Sequence, residues 1–260
     1  ILSNVLNIKN GDLYNEEKFQ MGVYQGLYPL YRNGGYFYVQ VEPLIEPIGV
    51  DSLNLKFNIL ENHKVNIRKV HIAGNNHTNE NVIRRYLKIY PGETFSQTKF
   101  ENSARDIFIL NYFENVIPNY LPYDEDEIDL IYEVIEKRSG LAQLSMGYNA
   151  QMGLTGGGSF QFPNFRGTGR TLSFSYQRGI NNQNQGNNQQ FPSSYNSSSV
   201  ANYQSFSFSF TDPRILDTPN LIGISAYYSE RGSSASYLGL DIKQIKGSAR
   251  LGREFKWPDR

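Results

Sequence analysis

The sequence predicts repeated α+β domains followed by an antiparallel transmembrane β-barrel. Three observations predict this class: the first half aligns with itself, the apolar period becomes two from Leu141 onward, and the links between the later apolar runs differ in length in a regular way. The charge divides at the same place. Before Gly140 there are 14 Lys or Arg against 19 Asp or Glu, and from Gly140 onward 11 against 6, so two differently built halves are expected.

The self-alignment has an offset of 81 residues and sets Ile1–Phe19 on Val82–Phe100, so that Leu6, Ile8, Gly11, Lys18 and Phe19 fall on Leu87, Ile89, Gly92, Lys99 and Phe100. Further on, "LNLKFNILE" (Leu53 to Glu61) falls on "IDLIYEVIE" (Ile128 to Glu136), both alternating apolar and polar. The complete copy, residues 65–139, reads as strand, helix, helix, strand, strand. "NIRKVHIAG" turns Ile67, Val70 and Ile72 inward. Asn79 caps a first helix carrying Val82, Ile83, Tyr86 and Leu87, and Ser96 caps a second with Phe100, Ala104, Ile107 and Phe108 on one stripe. Phe113–Leu121 and Ile128–Glu136 supply two strands. Pro118 cannot donate to a ladder, so its strand belongs at the sheet edge. By the same register residues 1–64 form a partial copy without its first strand and part of its first helix, as expected of a chain that starts inside a domain of a longer protein.

Residues 140–260 alternate. Leu144, Met146 and Tyr148 share one face and Gln143, Ser145, Gly147 and Asn149 the other. The same phase recurs at Phe160 and Phe162, at Leu172, Phe174 and Tyr176, at Phe206, Phe208 and Phe210, and at Ile222, Ile224, Ala226 and Tyr228. A last run sets Ile245, Ala249, Leu251, Phe255 and Trp257 against Lys246, Ser248, Arg250, Glu254 and Lys256. Alternation alone suits a soluble sandwich as well as a barrel, and the links separate the two. Those after the second, fourth and sixth strands ("NFRGTG", "DPRILDTPN", "WPDR") are compact, whereas those after the third and fifth are longer and polar, which is the rim asymmetry of an outer-membrane barrel. No apolar run is long enough for a membrane helix, which says nothing against strands.

Gly167 and Gly169 in "FPNFRGTGRTLSF" have the spacing of a phosphate-binding loop. That chemistry needs a helix after the glycines, and here both flanks have period two. They are expected to supply positive φ in a hairpin turn, with Pro163 ending the strand before it.

Several chemistries are excluded. The chain has no cysteine, and His63, His71 and His77 lack the spacing of a metal site; neither metal nor cofactor is expected. "DEDEID" (Asp124 to Asp129) lacks the glycine and terminal glutamate of a calcium loop and reads as a solvated turn. No nucleophile has a His and an acid placed around it, and no basic stripe suits nucleic acid, so an enzyme is not expected. The Asn- and Gln-rich stretch within 181–199 is too polar to bury and reads as an exposed loop, with a receptor-like role as the alternative. The first barrel strand contains Gly147, follows Gly140 and has no Val or Ile, which points to a weak partner for the strand that closes the barrel; an ordinary first strand with a small-residue lumen face stays the alternative.

"EKRSGLAQLSMGYN", "NFRGTGRTLSFSYQRG" and "FSFSFTDPRI", in this order and behind repeated strand-helix-helix-strand-strand domains, resemble the BamA family of outer-membrane assembly factors, which have POTRA domains and a barrel. The most specific residues are Asn164, Phe165, Gly167, Thr168 and Gly169, then Asp212 and Pro213. The resemblance implies a barrel of about sixteen strands, of which residues up to Arg260 hold roughly the first six. It also implies an insertase in the bacterial outer membrane with its POTRA domains in the periplasm. The seam would open beside Leu141, Ala142, Gln143 and Leu144 and beside Ser145, Met146, Gly147 and Tyr148, and a client's terminal strand would add to that edge by β-augmentation. Partners would be unfolded outer-membrane proteins, periplasmic or lipoprotein accessory subunits, and outer-membrane lipid. The POTRA edges, namely Tyr36, Phe37, Tyr38, Val39, Gln40 and Val41 together with the strand containing Pro118, are candidate docks. The alternatives are a pore exporting one dedicated protein and a passive pore or receptor.

Overall fold

The computed structural model describes residues 5–6, 8–138, 140–149, 153–180, 202–232 and 240–255. They form two compact units. The first combines Ile1–Asn76 with Ile83–Lys137, and the second combines His77–Val82 with Arg138–Arg260.

In the first repeat, helix α1 (Glu16–Met21) is capped by Asn15, whose side chain accepts from the Lys18 amide at 2.9 Å, and has Glu16 and Glu17 in its first turn. A π-helical turn (Gly22–Leu27) joins it to α2 (Tyr28–Asn33), where Pro29 has no N–H to return to the preceding turn. Strands β1 (Gln40–Ile48) and β2 (Ser52–Leu60) pair antiparallel in a register that stacks Val41 with Ile59, Pro43 with Phe57 and Ile45 with Leu55 on one apolar face. Leu6, Phe19, Val23, Leu27, Val39 and Val41 make the core beneath it.

The second repeat has the expected order: β3 (Asn66–Ala73), α3 (Glu80–Arg84), α4 (Gln97–Ile109), β4 (Phe113–Pro122) and β5 (Glu127–Glu136). Strand β5 is central, parallel to β3 and antiparallel to β4. It buries Ile128, Leu130, Tyr132 and Val134, the alternate residues of its inner face. Strand β4, with Pro118 and Pro122, is at the edge as expected. Two details differ from the sequence reading. Helix α3 ends at Arg84, leaving Tyr86 and Leu87 in the turn after it, and Phe108 is 50% exposed because α4 directs Ile107 to the core in its place.

The two repeats are joined by a packed junction. Phe37 enters the core of the second repeat, with ring centroids 4.8 Å from Phe95 and 4.7 Å from Tyr120. Asn33 exchanges hydrogen bonds with Thr98: its Nδ2 donates to Thr98 Oγ1 and its Oδ1 accepts from the Thr98 amide, both at 2.8 Å. Gly35 has φ +96°, and a Cβ there would lie 2.3 Å from Thr94 Cγ2.

The second unit carries a six-stranded antiparallel meander: β6 (Leu141–Asn149), β7 (Gly153–Phe165), β8 (Arg170–Ile180), β9 (Asn202–Asp212), β10 (Asn220–Arg231) and β11 (Ile242–Arg253), each paired with its sequence neighbour. Cross-strand rows follow the alternation. Phe160, Phe174, Phe208 and Ala226 form one row; Tyr176, Phe206, Tyr228 and Ile245 form the next on the same face. The aromatics of that row are close enough to interact, with Tyr176 4.7 Å from Phe206. Beyond them the face turns polar, where Gln204 Nε2 donates to Glu230 at 2.9 Å and Lys243 pairs with Glu230 at 3.2 Å. The opposite face is lined by Ser175, Ser207, Ser225 and Ser248, whose hydroxyls meet across strands in pairs at 2.7 Å. Among the described residues no helix is long and apolar enough to cross a membrane. The stretch 181–199 and Trp257 lie outside the described residues.

Candidate functional site

Strand β6 is one edge of the meander. It pairs with β7 alone among the described strands, so the N–H and C=O groups on its other side have no rungs there. All eight seam residues, Leu141 to Tyr148, lie on it. Leu144, Met146 and Tyr148 share one face of it and are exposed.

Four successive rungs of the pairing with β7 lack one of their two side chains. Leu144 stands opposite Gly158, Ser145 opposite Gly157, Met146 opposite Gly156, and Gly147 opposite Thr155. Cross-strand side-chain contacts contribute ~0.2–1 kcal/mol per pair, and in these four rungs one member is hydrogen. Gly157 has its own steric reason, because a Cβ there would lie 2.5 Å from the Tyr176 carbonyl oxygen. A groove of about 400 Å³ results, lined by Ser145–Gly147, Thr155, Gly156, Gln177 and Tyr203. Sequence reading found Gly140 and Gly147 and missed Gly156, Gly157 and Gly158, whose meaning comes from the register that sets them against β6.

The turn after β7 has the expected backbone at its glycines, with φ +71° at Gly167 and +76° at Gly169. Pro163 does not end the strand, which corrects the sequence reading. β7 continues to Phe165, and the register breaks between Phe162 and Phe165, where a bulge absorbs the missing proline donor. Asn164, 3% exposed, organises the turn: its Oδ1 accepts from the Gly169 amide at 2.8 Å and its Nδ2 donates to Thr78 Oγ1 at 2.8 Å. Thr168 Oγ1 donates to the Phe165 carbonyl at 2.7 Å. The Asn79 amide donates to the Gly167 carbonyl at 2.9 Å, and a Cβ on Gly167 would lie 2.0 Å from the His77 carbonyl oxygen. Gly167 is therefore required by both conformation and contact.

The second motif is a bonded relay. Asp212, 4% exposed, accepts from Arg170 Nε at 2.9 Å across the β8–β9 pair and from the Arg214 amide at 3.0 Å, so the carboxylate closes the turn that Pro213 begins. Arg214 Nη2 reaches Glu254 at 2.8 Å beyond β11. The sequence reading missed Thr78, Arg170, Arg214 and Glu254. For Arg170 a signal existed: once Leu172 is phased against Phe210, residue 170 falls opposite 212.

The POTRA-edge residues are placed differently from the expectation. Tyr36, Phe37, Tyr38 and Val39 precede the strand, and β1 starts at Gln40. Phe37, Val39 and Val41 are buried, because the segment crosses the junction and gives apolar side chains to both repeats in turn. The exposed edges that remain carry Pro43 and Pro47 on β1 and Pro118 and Pro122 on β4, each a lost donor for an incoming strand.

Comparison with known proteins agrees with this architecture. The POTRA family, described as a surface antigen variable number repeat, matches residues 65–137, and the Omp85 superfamily domain matches residues 164–259. The outer membrane protein assembly factor BamA of Neorickettsia risticii is 28% identical over 204 residues, covering 78% of this chain and 25% of that protein. BamA of Neisseria meningitidis serogroup B is 28% identical over 182 residues, covering 68% and 22%. The chain thus spans about a quarter of the length of these curated relatives. The crystal structure of BamA from Haemophilus ducreyi lacking POTRA domains 1–3 shares the fold, with a TM-score of 0.74 and 19% identity over 95% of this chain and 44% of that one. Residues 65–137 thus match the POTRA family and residues 164–259 the Omp85 superfamily domain, in that order, and the chain is similar to BamA proteins in sequence and fold.

Proposed function

We propose that this chain is the junction of periplasmic repeats and early barrel strands in an outer-membrane protein assembly factor, and that β6 is the template on which a client's terminal strand is laid. The location is the outer membrane, with the POTRA repeats on the periplasmic side. The observation that carries the reading is the β6–β7 register, which holds the first barrel strand through four successive glycine-bearing rungs. In hydrocarbon an unpaired backbone group costs several kcal/mol, so a strand's edge must be covered, and main-chain pairing covers it without demanding a client sequence. Partners of this kind are unfolded outer-membrane proteins, with accessory subunits acting through the repeats. The role is one of template and catalyses no bond chemistry.

The test is a cysteine at Ser145 in the full-length protein. Crosslinks to the terminal strand of a nascent barrel protein are expected. Crosslinks confined to the protein's own closing strand, under conditions that accumulate clients, would show a static seam and overturn the reading. Depletion adds a separate readout: general loss of outer-membrane barrels fits an assembly factor, and loss of one secreted protein fits a dedicated exporter.

A further inference from the structure

The polar face of the meander carries a charge pattern for which strand templating has no use. Its charged members within the strands are Arg231 on β10 and Lys246 and Arg250 on β11; Glu254, just beyond β11 in the same alternation, is already held by Arg214. Arg231 stands opposite Ile242, so the three cations occupy the levels of residues 242, 246 and 250. Steps of four residues are about 13 Å each, so the series spans about 27 Å along the strand and, at a tilt of about 40°, about 20 Å of the ~30 Å hydrocarbon core.

These cations are poorly neutralised. Arg231 lies over the Tyr203 ring at 5.7 Å and Lys246 over the Tyr227 ring at 6.0 Å, contacts that orient a cation and leave its charge in place. On the apolar face Lys243 is held by Glu230 and Arg170 by Asp212. Between the levels of Lys246 and Arg250 the wall offers the hydroxyls of Ser225 and Ser248, 2.7 Å apart, which can donate to an anion once cations attract it.

We infer that β10 and β11 form an anion-favouring wall along the height of the lumen, with small inorganic anions as its ligand class. The inference rests on these strands being part of a barrel wall with the serine-rich face inward, where charged rungs set selectivity. The cations are one above another and not in a ring, so an anion would pass between weak sites without being held at a single one.

The experiment uses the full-length protein in planar lipid bilayers under a potassium chloride gradient, with chloride as the probe. Replacing Arg231, Lys246 and Arg250 together by Gln is expected to lower the chloride-to-potassium permeability ratio several-fold. Lys243→Gln, on the other face, is expected to leave it unchanged. An unchanged ratio in the triple variant, an equal drop in Lys243→Gln, or no conductance through the wild type would each overturn the inference. Heat-modifiable gel mobility reports whether the variants fold, and Arg250→Gln alone gives a smaller drop in the same direction should the triple variant not fold. Client crosslinking at Ser145→Cys is retained in the triple variant if the assembly role stands apart from ion preference, so the two failures can be told apart.

Discussion

Asp129 shows how one residue can tie a sheet together on its exposed side. It is 4% exposed and accepts from Arg68, whose guanidinium also lies 3.7 Å from the centre of the Tyr123 ring, while His71 Nε2 stands 3.5 Å from the same carboxylate oxygen. Burial pushes this carboxyl up, but Arg68 and then His71 more than reverse it, and its pKa falls below the usual carboxylate value. A depressed carboxyl stabilises the fold at pH above its unfolded value, near 4, and that contribution is lost as the pH falls through the native value. Asp129→Asn is expected to destabilise the second repeat by about 2 kcal/mol at pH 7, the size of a hydrogen bond to a charged group. Urea unfolding should show that difference shrinking toward zero in acid. The sequence placed Asp129 both at the end of an acidic stretch read as solvated and second in the strand Ile128–Glu136, and the strand reading is the one that holds. It belongs to β5 because the alternation of Ile128, Leu130 and Tyr132 runs through it, and its half-buried arginine partner comes from β3, 61 residues earlier. Proximity of that kind depends on topology and leaves no local trace.

At the scale of elements, the six membrane strands were legible because a strand with one face in lipid and one in water must alternate at every residue. Helices were less so: α3 is five residues long, too short for periodicity to set its end. The face assignment has a direct check. Phe208 lies between Phe174 and Ala226 on the apolar face, and Ser207 meets Ser175 on the other. Phe208→Arg is expected to impair membrane integration far more than Ser207→Arg, since a cation on the lipid face near the midplane costs about 2–4 kcal/mol. Equal insertion of the two variants would mean the faces are reversed or that the sheet is not in lipid. The β7 bulge at Pro163 belongs to this scale too. A proline marks where a ladder must break, and whether the chain then ends or bulges depends on the partner strand.

At the scale of the whole molecule, the internal repeat made the domain plan readable, because two copies of one motif keep the same spacing of core residues. The junction was not readable. "GGYFYVQV" alternates like a strand, and only packing shows that Phe37 leaves the first repeat for the core of the second while Val39 and Val41 stay behind. Phe37→Ala is expected to cost about 3 kcal/mol or more, as for any large aromatic removed from a core, and to speed proteolysis between residues 33 and 40. A cleavage rate equal to wild type would show that the two repeats are held together without that ring.

The glycine-bearing rungs between the first two barrel strands bear on the energetics of the proposed strand exchange. A ribbon secured through amide bonds with so little interlocking can be exchanged for another ribbon bringing the same amides, so the two states differ little in free energy. Such a swap needs no nucleotide hydrolysis, and its direction would be set by which newcomer ends up more stably folded in the membrane.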